Sequence, residues 1–395
     1  MRQRKLKKVE KPVLTDQFNI SYLDPNLPQP TILQGVRHLL SAAIIYGAVL
    51  IIFSLSPHYM DFLSVRFYGV SAIKIYWYVY AAYLIIITPI CILIRPKSLW
   101  ISNQVRITSY IIRFVRGIFK RSKSKNPDEY LKPTYEEKNA IFFLIVKMIY
   151  GPIAINGAID GYNRLVPIIR ELQNVLDNIP AAYYFDIIYR LFITAAFMIE
   201  AIPYIISYHG DSKYLGNKVR YVETKPFHLF VCLACYPPFN FATVSFLGGS
   251  FEDPFGIIWR GDINHPMTWI LRILAMIFAG ILISASLALF TRASNLTNRG
   301  IVTWGPYRFV RHPGYASKNI YWLITFIPFI IPDTSISGFT WSNYALYFIM
   351  FLFGFVGWGT LYFLRGITEE RFLMRDPDYV AYCKKVKYHF IPWVY

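Results

Sequence analysis

Residues 267–290 read MTWILRILAMIFAGILISASLALF, a run of 24 positions with one charged side chain, Arg272. A helix needs about 20 mainly apolar residues to cross the roughly 30 Å hydrocarbon core of a bilayer. Comparable runs occur at about 37–56, 76–94, 140–159, 183–208, 227–248, 319–332 and 342–364. The run at 319–332 is short, although Tyr315 to Ser317 continue it on the N-terminal side. The sequence therefore predicts an all-α fold, a polytopic transmembrane helical bundle of about eight spans.

Composition supports this prediction. The chain is 55% hydrophobic and only 16% charged, whereas soluble proteins are about a quarter charged. The first 36 residues are polar and basic, and a full-length apolar run follows them. A cleaved signal peptide has a shorter charged region and a shorter apolar run. We therefore expect the first span to be retained.

The net charge of +18 raises the question of nucleic-acid binding, but the distribution of lysine and arginine indicates membrane topology. If the N-terminus is cytoplasmic and eight spans alternate, the cytoplasmic segments hold 33 of these residues and the opposite loops hold five. Positive charge concentrates on the cytoplasmic side of membrane proteins. We expect both termini in the cytoplasm, a plasma (inner) membrane or endoplasmic reticulum location, and no nucleic-acid partner.

The expected domains are a basic cytoplasmic arm (1–36), an N-terminal transmembrane region (37–266) and a C-terminal region (267–395). The arm is expected to attract anionic lipid headgroups. Within the second region, the cytoplasmic loop 95–138 contains an amphipathic stretch, 106–121. Its apolar residues Ile107, Ile111 and Phe114 recur at helical spacing, with arginines on the other side. Docking in the headgroup plane is favoured over packing on the protein.

Several polar residues outside the C-terminal region are assigned structural roles. Cys232 and Cys235 are expected to be packing residues because no second cysteine or histidine pair lies near them in sequence. The histidines at 209, 228 and 265 are isolated in the sequence, and no metal site is predicted. Glu200 is expected to pair with Lys147 or Arg190 across helices, and Pro237-Pro238 to kink the fifth span.

Two C-terminal segments carry the residues that suggest chemistry. Residues 300–319 read GIVTWGPYRFVRHPGYASKN, and residues 365–385 read RGITEERFLMRDPDYVAYCKK. Adjacent carboxylates at the end of a membrane helix are costly unless they are paired or useful. Because the connection at 333–341 is short, the last two spans should be antiparallel neighbours. Their cytoplasmic ends would then place His312 beside Glu369 and Glu370.

On residue types alone, two interpretations of this cluster are equally supported. Cations, a carboxylate pair and aromatic rings suit a zwitterionic cofactor, which needs partners for its carboxylate and its ammonium and a flat apolar slot for an adenine. The same residues also suit a basic headgroup site with two exposed glutamates.

The order of these motifs resembles the isoprenylcysteine carboxyl methyltransferase family, which is in turn similar to the membrane phospholipid N-methyltransferases. The resemblance covers residues 267–395. It consists of Gly305-Pro306-Tyr307-Arg308, then Arg311-His312-Pro313-Gly314-Tyr315, a helical hairpin, Glu369-Glu370, and a tail with Tyr379 and Tyr382 that ends in Ile391-Pro392. The family often has a glycine where this chain has Ser317, and its minimal core has no counterpart of the first six or so spans.

The resemblance implies an S-adenosylmethionine-dependent methyltransferase with a cytoplasm-facing cofactor pocket. The acceptor would be lipidic or prenylated, with carboxyl O-methylation as the leading reaction. Arg311 and His312 would hold the cofactor carboxylate and Glu369 or Glu370 its ammonium, so His312, Arg311 and Glu370 are the candidate catalytic residues. A hydroxyl or amine acceptor would need a base, for which His312 or a tyrosine is the candidate. The implied cofactor-binding residues are Tyr307, Arg311, His312, Pro313, Tyr315, Glu369, Glu370 and Tyr382.

Two alternatives stay open at this point. Membrane sterol reductases carry a similar Arg-His-Pro-containing C-terminal region and use NADPH, and their length is closer to that of this chain. A transporter or scaffold without enzymatic activity is the second alternative, although transporters usually show internal symmetry and midplane ionisable residues.

Overall fold

The computed structural model describes residues 28–120, 128–174, 180–211, 216–236, 239–240, 257–258, 262–331, 340–392 and 394. These residues form two compact units. Unit 1 comprises the chain up to Pro152 together with Arg220–Val222, and unit 2 comprises Ile153–Val219 and Glu223–Tyr395. Residues 267–395, where the sequence places the chemistry, all belong to unit 2.

Unit 1 is built mainly from helices. Its elements are α1 (Ile32–Leu55), α2 (Pro57–Phe62), β1 (Arg66–Phe67), β2 (Val70–Ser71), α3 (Ala72–Ala82), a π-helical turn (Tyr83–Ile87), α4 (Thr88–Ile94), a 3₁₀ helix (Lys97–Ile101), α5 (Asn103–Lys120), α6 (Asp128–Leu131), the start of α7 (Tyr135–Asn174) and β3 (Tyr221–Val222). Strands β1 and β2 pair antiparallel, with Arg66 opposite Ser71. Thr31 and Gln34 form a capping box at the start of α1.

Unit 2 continues α7 and carries the longest C-terminal helices. Its elements are α8 (Ala181–His209), α9 (Pro226–Leu233), α10 (Pro266–Leu289), a 3₁₀ turn (Phe290–Arg292), β4 (Thr297–Asn298), a 3₁₀ turn (Gly305–Arg308), α11 (Pro313–Ile330), α12 (Trp341–Leu373) and α13 (Pro377–Lys385). Helix α10 packs along both α8 and α11. Small side chains allow membrane helices to approach closely, and Ala275 and Ala279 of α10 lie in the buried core with Tyr189 and Tyr321.

Six helices within the described residues are long and apolar enough to cross a membrane. They are Ile32–Leu55, Ala72–Ile94, Tyr135–Asn174, Ala181–His209, Pro266–Arg292 and Trp341–Leu373. They coincide with six of the eight predicted segments, so the prediction of an all-α membrane-type bundle is confirmed. The segment 227–248 is helical only to Leu233 before it leaves the described residues, which also omit Pro237-Pro238. The segment 319–332 lies within α11, which has 18 residues and is not among the six.

The amphipathic stretch forms helix α5, as predicted. Its first apolar residue, Ile107, is buried in a cluster with Ile45 of α1 and Ala140 of α7. The apolar side chains further along the helix are exposed, among them Phe114 and Ile118. One end of the helix therefore packs on the protein, and docking of the other end in a headgroup layer stays a prediction.

Candidate functional site

The Arg311-His312-Pro313 segment precedes helix α11 and is held by the C-terminal tail. Pro313 opens the helix, where its missing N–H costs nothing. The backbone N–H of Arg311 donates to the carbonyl of Tyr388 at 3.0 Å, and that of His312 donates to the carbonyl of His389 at 2.8 Å. The tail therefore lies against the motif, although the two are more than 70 residues apart in sequence.

Glu370 lies at the centre of a cluster of basic side chains. Its Oε1 is 3.2 Å from His312 Nε2 and 2.7 Å from His389 Nδ1, and its Oε2 is 3.2 Å from Arg311 Nη1. Glu370 is buried. A buried carboxylate is stabilised when nearby cations and donors replace the water it has lost, so this glutamate has the partners expected of a structural anchor.

Arg311 binds backbone groups of the tail as well as Glu370. Its Nε donates to the carbonyl of Val386 at 2.8 Å, and its Nη2 donates to the carbonyl of Cys383 at 3.3 Å. The guanidinium thus joins the Glu370 carboxylate to the end of α13. The sequence-based role for this residue was to hold a cofactor carboxylate, and the observed contacts occupy much of its donor capacity.

Glu369 has a different environment from its neighbour. Its Oε2 accepts a hydrogen bond from Tyr315 Oη at 2.6 Å and is 3.9 Å from His312 Nδ1. The side chain is 37% exposed, against 12% for Glu370. Its other oxygen, Oε1, has no hydrogen-bond partner among the residues that the structure describes. The ring of His312 stacks on that of Tyr315 at a centroid distance of 5.3 Å, which fixes both side chains beside Glu369.

A cavity of about 130 Å³ lies next to this cluster. Six of the eight predicted cofactor-binding residues line it: Tyr307, Arg311, His312, Tyr315, Glu369 and Tyr382. The other two, Pro313 and Glu370, do not. We call this space the main cavity.

The main cavity is also lined by residues that the sequence did not assign to the site. They come from α8, from the segment after α9, from the segment after α10, from α11 and from α12, and include Glu200, Tyr204, Tyr236, Asn295, Asn298, Arg299, Lys318, Tyr362 and Arg365. Three of them precede residue 267, so the site draws on more of the chain than the resemblance covers. They come from segments that are far apart in sequence and are brought together by packing, so most of them could not be assigned to the site from the sequence.

Arg365 is a buried cation in the wall of the main cavity. Its guanidinium lies 4.9 Å from the ring centroid of Tyr315 and 5.1 Å from that of Tyr236, and it also donates to Tyr236 Oη and Asn295 Oδ1. Among the described residues, no carboxylate lies within 4 Å of it. Cation–π contacts partly compensate for lost hydration, but a buried cation without an acidic partner is a favourable receptor for an anion.

Glu200 pairs with Lys318, at 3.2 Å between Oε1 and Nζ. The expectation that Glu200 pairs with Lys147 or Arg190 is therefore wrong. Arg190 binds Glu171 and Asp186 instead. The sequence could not identify the correct partner, because residues 200 and 318 are brought together only by the packing of α8, α10 and α11.

Ser317 stands where the family often has a glycine, and the helix accommodates it. Its Oγ donates to the carbonyl of Pro313 at 2.7 Å, and the residue is buried. The serine hydroxyl is thus hydrogen-bonded within α11. The neighbouring Lys318 lines the main cavity.

A second, smaller cavity of about 40 Å³ adjoins the main one and shares Tyr315, Arg365 and Glu369 with it. His228 also lines this second cavity. Its Nδ1 is 2.6 Å from Oε2 of the buried Glu223. His228 therefore forms a buried carboxylate–histidine pair, with a partner that was not predicted from the sequence. Cys232 lies in the same wall, and both Cys232 and Cys235 are buried, in keeping with a packing role.

Two tyrosines and one histidine of the site lie outside the predicted spans, and their pKa values are shifted. Burial, followed by the negative charge of Glu369, raises the pKa of Tyr307. Burial likewise raises the pKa of Tyr382, whose Oη donates to the carbonyl of Tyr307 at 2.6 Å. Burial lowers the pKa of His389 despite the nearby Glu370. Both tyrosines are therefore protonated hydrogen-bond donors at neutral pH, and His389 is mainly neutral there.

The described residues contain no group of three or more histidine, cysteine, aspartate or glutamate side chains arranged to hold a metal ion. Comparison of the chain with models of known protein families, with curated proteins and with solved structures found no match. The function is therefore inferred from the geometry of the site.

Proposed function

We propose that this protein is an integral membrane methyltransferase that uses S-adenosylmethionine and acts on a lipidic or prenylated acceptor. The observation that carries the proposal is the main cavity itself. Six residues selected for cofactor binding from two distant sequence motifs line one space, together with a buried cation and a partly free carboxylate.

The cavity fits the amino-acid portion of S-adenosylmethionine, which carries a carboxylate and an ammonium on one carbon. Arg365 and Glu369 are four residues apart on α12, so they lie on the same face of the helix, one turn apart. Both contact Tyr315, at its ring and at its hydroxyl respectively. In this proposal Arg365 receives the carboxylate and Glu369 receives the ammonium.

This assignment changes the roles expected of the motif residues. Arg311, His312 and Glu370 bind one another and the tail, so their proposed task is to hold the wall of the cavity that contains Tyr315 and Glu369. His312 also borders the cavity and contacts whatever occupies that wall. Asn298 and Arg299 extend the polar lining on the other side, where Asn298 Nδ2 donates to Asp376 at 2.7 Å.

When bound, S-adenosylmethionine supplies an activated methyl group on a cationic sulfur. The residues of the chain would align the acceptor with that group and exclude water. Tyr204, Tyr236 and Tyr362 offer aromatic faces in the cavity wall, and such faces attract cations. The apolar helices on which they lie suit an acceptor that reaches the site from the bilayer.

Calorimetry on the detergent-purified full chain tests the proposal. We expect S-adenosylmethionine and S-adenosylhomocysteine to bind with micromolar dissociation constants. His312→Ala and Arg365→Leu should each weaken binding by about 100-fold or more, equivalent to about 2.7 kcal/mol. The exposed His58 of unit 1 provides the control variant His58→Gln, which should bind like the wild type. Failure of the wild-type protein to bind either compound would contradict the proposal.

NADPH is the competing ligand, and one observation favours it. The cavity lining contains five arginine and lysine side chains, Arg292, Arg299, Arg311, Lys318 and Arg365, which would suit a phosphorylated nucleotide. Binding of NADPH without S-adenosylmethionine in the same titration would move the protein to the sterol-reductase-like alternative. Binding of neither would favour a transporter or scaffold.

The proposal includes the finer topology. Eight spans, both termini in the cytoplasm and a cytoplasm-facing cavity follow from the charge distribution, in a plasma (inner) membrane or the endoplasmic reticulum. The six apolar helices support a membrane protein. Labelling of single introduced cysteines with a membrane-impermeant reagent tests the orientation. In intact cells, cysteines introduced in 95–120 and 291–300 should not react, and they should react once the membrane is permeabilised.

A further inference from the structure

The second cavity contains a histidine with a defined acceptor nitrogen. Glu223 is 1% exposed, and every group around its carboxylate is a donor. Its Oε1 accepts from the backbone N–H groups of Thr224 at 2.8 Å and Lys225 at 3.0 Å. Arg375 Nη2 is 3.3 Å from the same oxygen. The remaining oxygen, Oε2, binds His228 Nδ1 at 2.6 Å.

This arrangement determines the tautomer of His228. Because Oε2 of Glu223 accepts a hydrogen bond from Nδ1, the proton of the neutral ring lies on Nδ1, and Nε2 carries the lone pair. Among the described residues, Nε2 has no hydrogen-bond partner. The side chain lines the second cavity, which is large enough for a few water molecules. A histidine that is oriented by a buried carboxylate, lines a small cavity and has no hydrogen-bond partner for its second nitrogen among the described residues has the geometry of a general base.

His312, the candidate base from the sequence, has a less suitable environment. Its Nε2 is bound to Glu370, its Nδ1 faces Glu369, and its ring is stacked between Tyr315 and Phe390. Its Nδ1 is 3.9 Å from Oε2 of Glu369, the side chain proposed to receive the cofactor ammonium, so this nitrogen borders the amino-acid portion of the cofactor and not the acceptor. His228 is therefore the better placed of the two.

The second cavity also adjoins the place where the methyl group would be transferred. Tyr315, Arg365 and Glu369 line both cavities, so the wall at which the proposed transfer takes place also borders the cavity that His228 lines, and water in that cavity would relay the proton. The hydrogen bond between Tyr315 and Glu369 is part of the wall. A carboxylate acceptor carries no proton and needs no base, whereas a hydroxyl or an amine must lose one.

We infer that His228, oriented by Glu223, is the catalytic base and that the acceptor carries a protic head group, a hydroxyl or an amine, rather than a carboxylate. This inference rests on the proposed methyltransferase function. The acceptor heteroatom forms a bond to the methyl carbon as the sulfur–methyl bond breaks, and the electron pair of that bond stays on sulfur. The proton of the acceptor moves to Nε2 of His228 and then to solvent.

The chemical class of the product separates this inference from the proposed function. Membranes of an expression host that contain the full chain are incubated with S-adenosylmethionine tritiated at the methyl group, and the lipids are extracted. Methyl esters release volatile methanol in mild alkali, whereas methyl ethers and N-methyl groups do not. We expect alkali-stable label above that in membranes containing the His312→Ala variant, and methylamine analysis separates amine from hydroxyl acceptors.

Variants of the pair test the role of the histidine. His228→Gln retains a hydrogen-bonding side chain of similar reach but removes the base, so we expect labelling to fall about 100-fold or more. Binding of S-adenosylhomocysteine, measured by calorimetry, should stay within about twofold of wild type. His58→Gln should change neither quantity. Because His228→Gln could disturb folding, retention of S-adenosylhomocysteine binding also shows that the main cavity is intact.

A readout that does not depend on turnover is the reaction of the purified protein with diethyl pyrocarbonate, followed by peptide mass spectrometry. His228 should be modified, because its Nε2 has no hydrogen-bond partner among the described residues and its side chain lines a cavity large enough for water. Alkali-labile label, full activity of His228→Gln, or failure of the reagent to modify His228 would each overturn the inference. With alkali-labile label the methyltransferase proposal would still stand, and absence of any enzyme-dependent label would contradict both.

Discussion

The two units treat buried polar groups in different ways. Unit 1 joins its helices mainly through neutral hydrogen bonds: His38 binds Ser102 and Tyr83, and Ser41 binds Thr108. Its buried glutamate, Glu137, is paired with Arg113. Unit 2 buries more charged side chains, including Glu223, Arg272, Arg299, Arg365 and Glu370. Burial of charge is expensive, whereas neutral hydrogen bonds between membrane helices cost little and contribute modestly. Most of the buried charges of unit 2 lie around the two cavities. Because burying a charge is unfavourable for folding, their presence there indicates the region where function is expected.

The difference also shows that burial of a charge alone does not identify a functional residue. Arg272 is almost fully buried, yet it lines neither cavity. Its Nη2 is 2.7 Å from Asp186 Oδ1, and its Nε donates to the carbonyl of Ile257 at 2.9 Å. Arg365 is buried to a similar degree but has only neutral partners among the described residues. The presence or absence of a carboxylate partner is the property that separates a structural arginine from a candidate anion receptor.

The largest effect predicted by this comparison is on stability. Arg272→Leu leaves Asp186 with only Arg190 as a cationic partner, and we expect it to lower the free energy of unfolding by about 3 kcal/mol. Binding of S-adenosylhomocysteine by the protein that remains folded should not change. Thermal unfolding in a fixed detergent, followed by circular dichroism, measures the first quantity, and calorimetry measures the second.

The matched control for Arg272→Leu is Arg164→Leu, which removes an exposed ion pair with Asp160. Such surface pairs contribute about 0–1 kcal/mol, so its melting temperature should stay close to that of the wild type. Equal destabilisation by the two variants would contradict the structural role of the buried pair. Loss of ligand binding by folded Arg272→Leu protein would contradict the distinction between the two buried arginines.

An intermediate effect is expected from the two neighbouring glutamates. Glu369→Gln should weaken binding of S-adenosylmethionine by about 10- to 100-fold, or about 1.4–2.7 kcal/mol, with little change in stability, because this side chain is partly exposed and faces both cavities. Glu370→Gln should act mainly on stability, by about 1–3 kcal/mol, since it leaves Arg311, His312 and His389 without their common carboxylate.

Calorimetry and thermal unfolding on both variants separate the two roles, ligand binding and stability. Glu369→Gln should change the binding constant and leave the melting temperature unchanged. Glu370→Gln should show the larger change in melting temperature. If Glu370→Gln proves to be the more severe binding mutant at unchanged stability, the assignment of the ammonium partner is reversed.

The sequence predicted the helical spans and the meeting of the two C-terminal motifs, because apolar runs and a short connection are local properties. It treated Glu369 and Glu370 as a pair with shared roles. Consecutive residues of a helix point about 100° apart, and the structure accordingly separates them into one side chain that faces the cavities and one that anchors the tail. The position of Arg365, one turn before Glu369, was a usable signal for a second residue on the cavity face.

Other features were not accessible from one sequence. The partner of Glu200, Lys318, depends on which helix faces lie together in three dimensions, and no local pattern encodes it. The partner of His228, Glu223, is only five residues away in sequence, so this pair was a usable local signal. His389 follows the predicted motifs in the tail, but its contact with Glu370 requires the tail to fold back on α11. Long-range pairings of this kind decide which candidate residues face the cavities, and they account for the correction made above at residue 200.

The smallest predicted effect concerns unit 1 and tests the other side of the comparison. Ser41→Ala removes the hydrogen bond between Ser41 Oγ and Thr108 Oγ1, which are 2.8 Å apart and buried between α1 and α5. Thr108 Oγ1 also binds the backbone carbonyls of Gln104 and Val105, so it is not left without a partner. Neutral hydrogen bonds between membrane helices are worth about 0.6 kcal/mol on average. We therefore expect a loss of stability below about 1 kcal/mol and no change in ligand binding, measured by the same unfolding and calorimetric experiments. A loss as large as that of Arg272→Leu would mean that the polar contacts of unit 1 carry as much stability as the buried charges of unit 2, and buried charge would then no longer distinguish the region that contains the site.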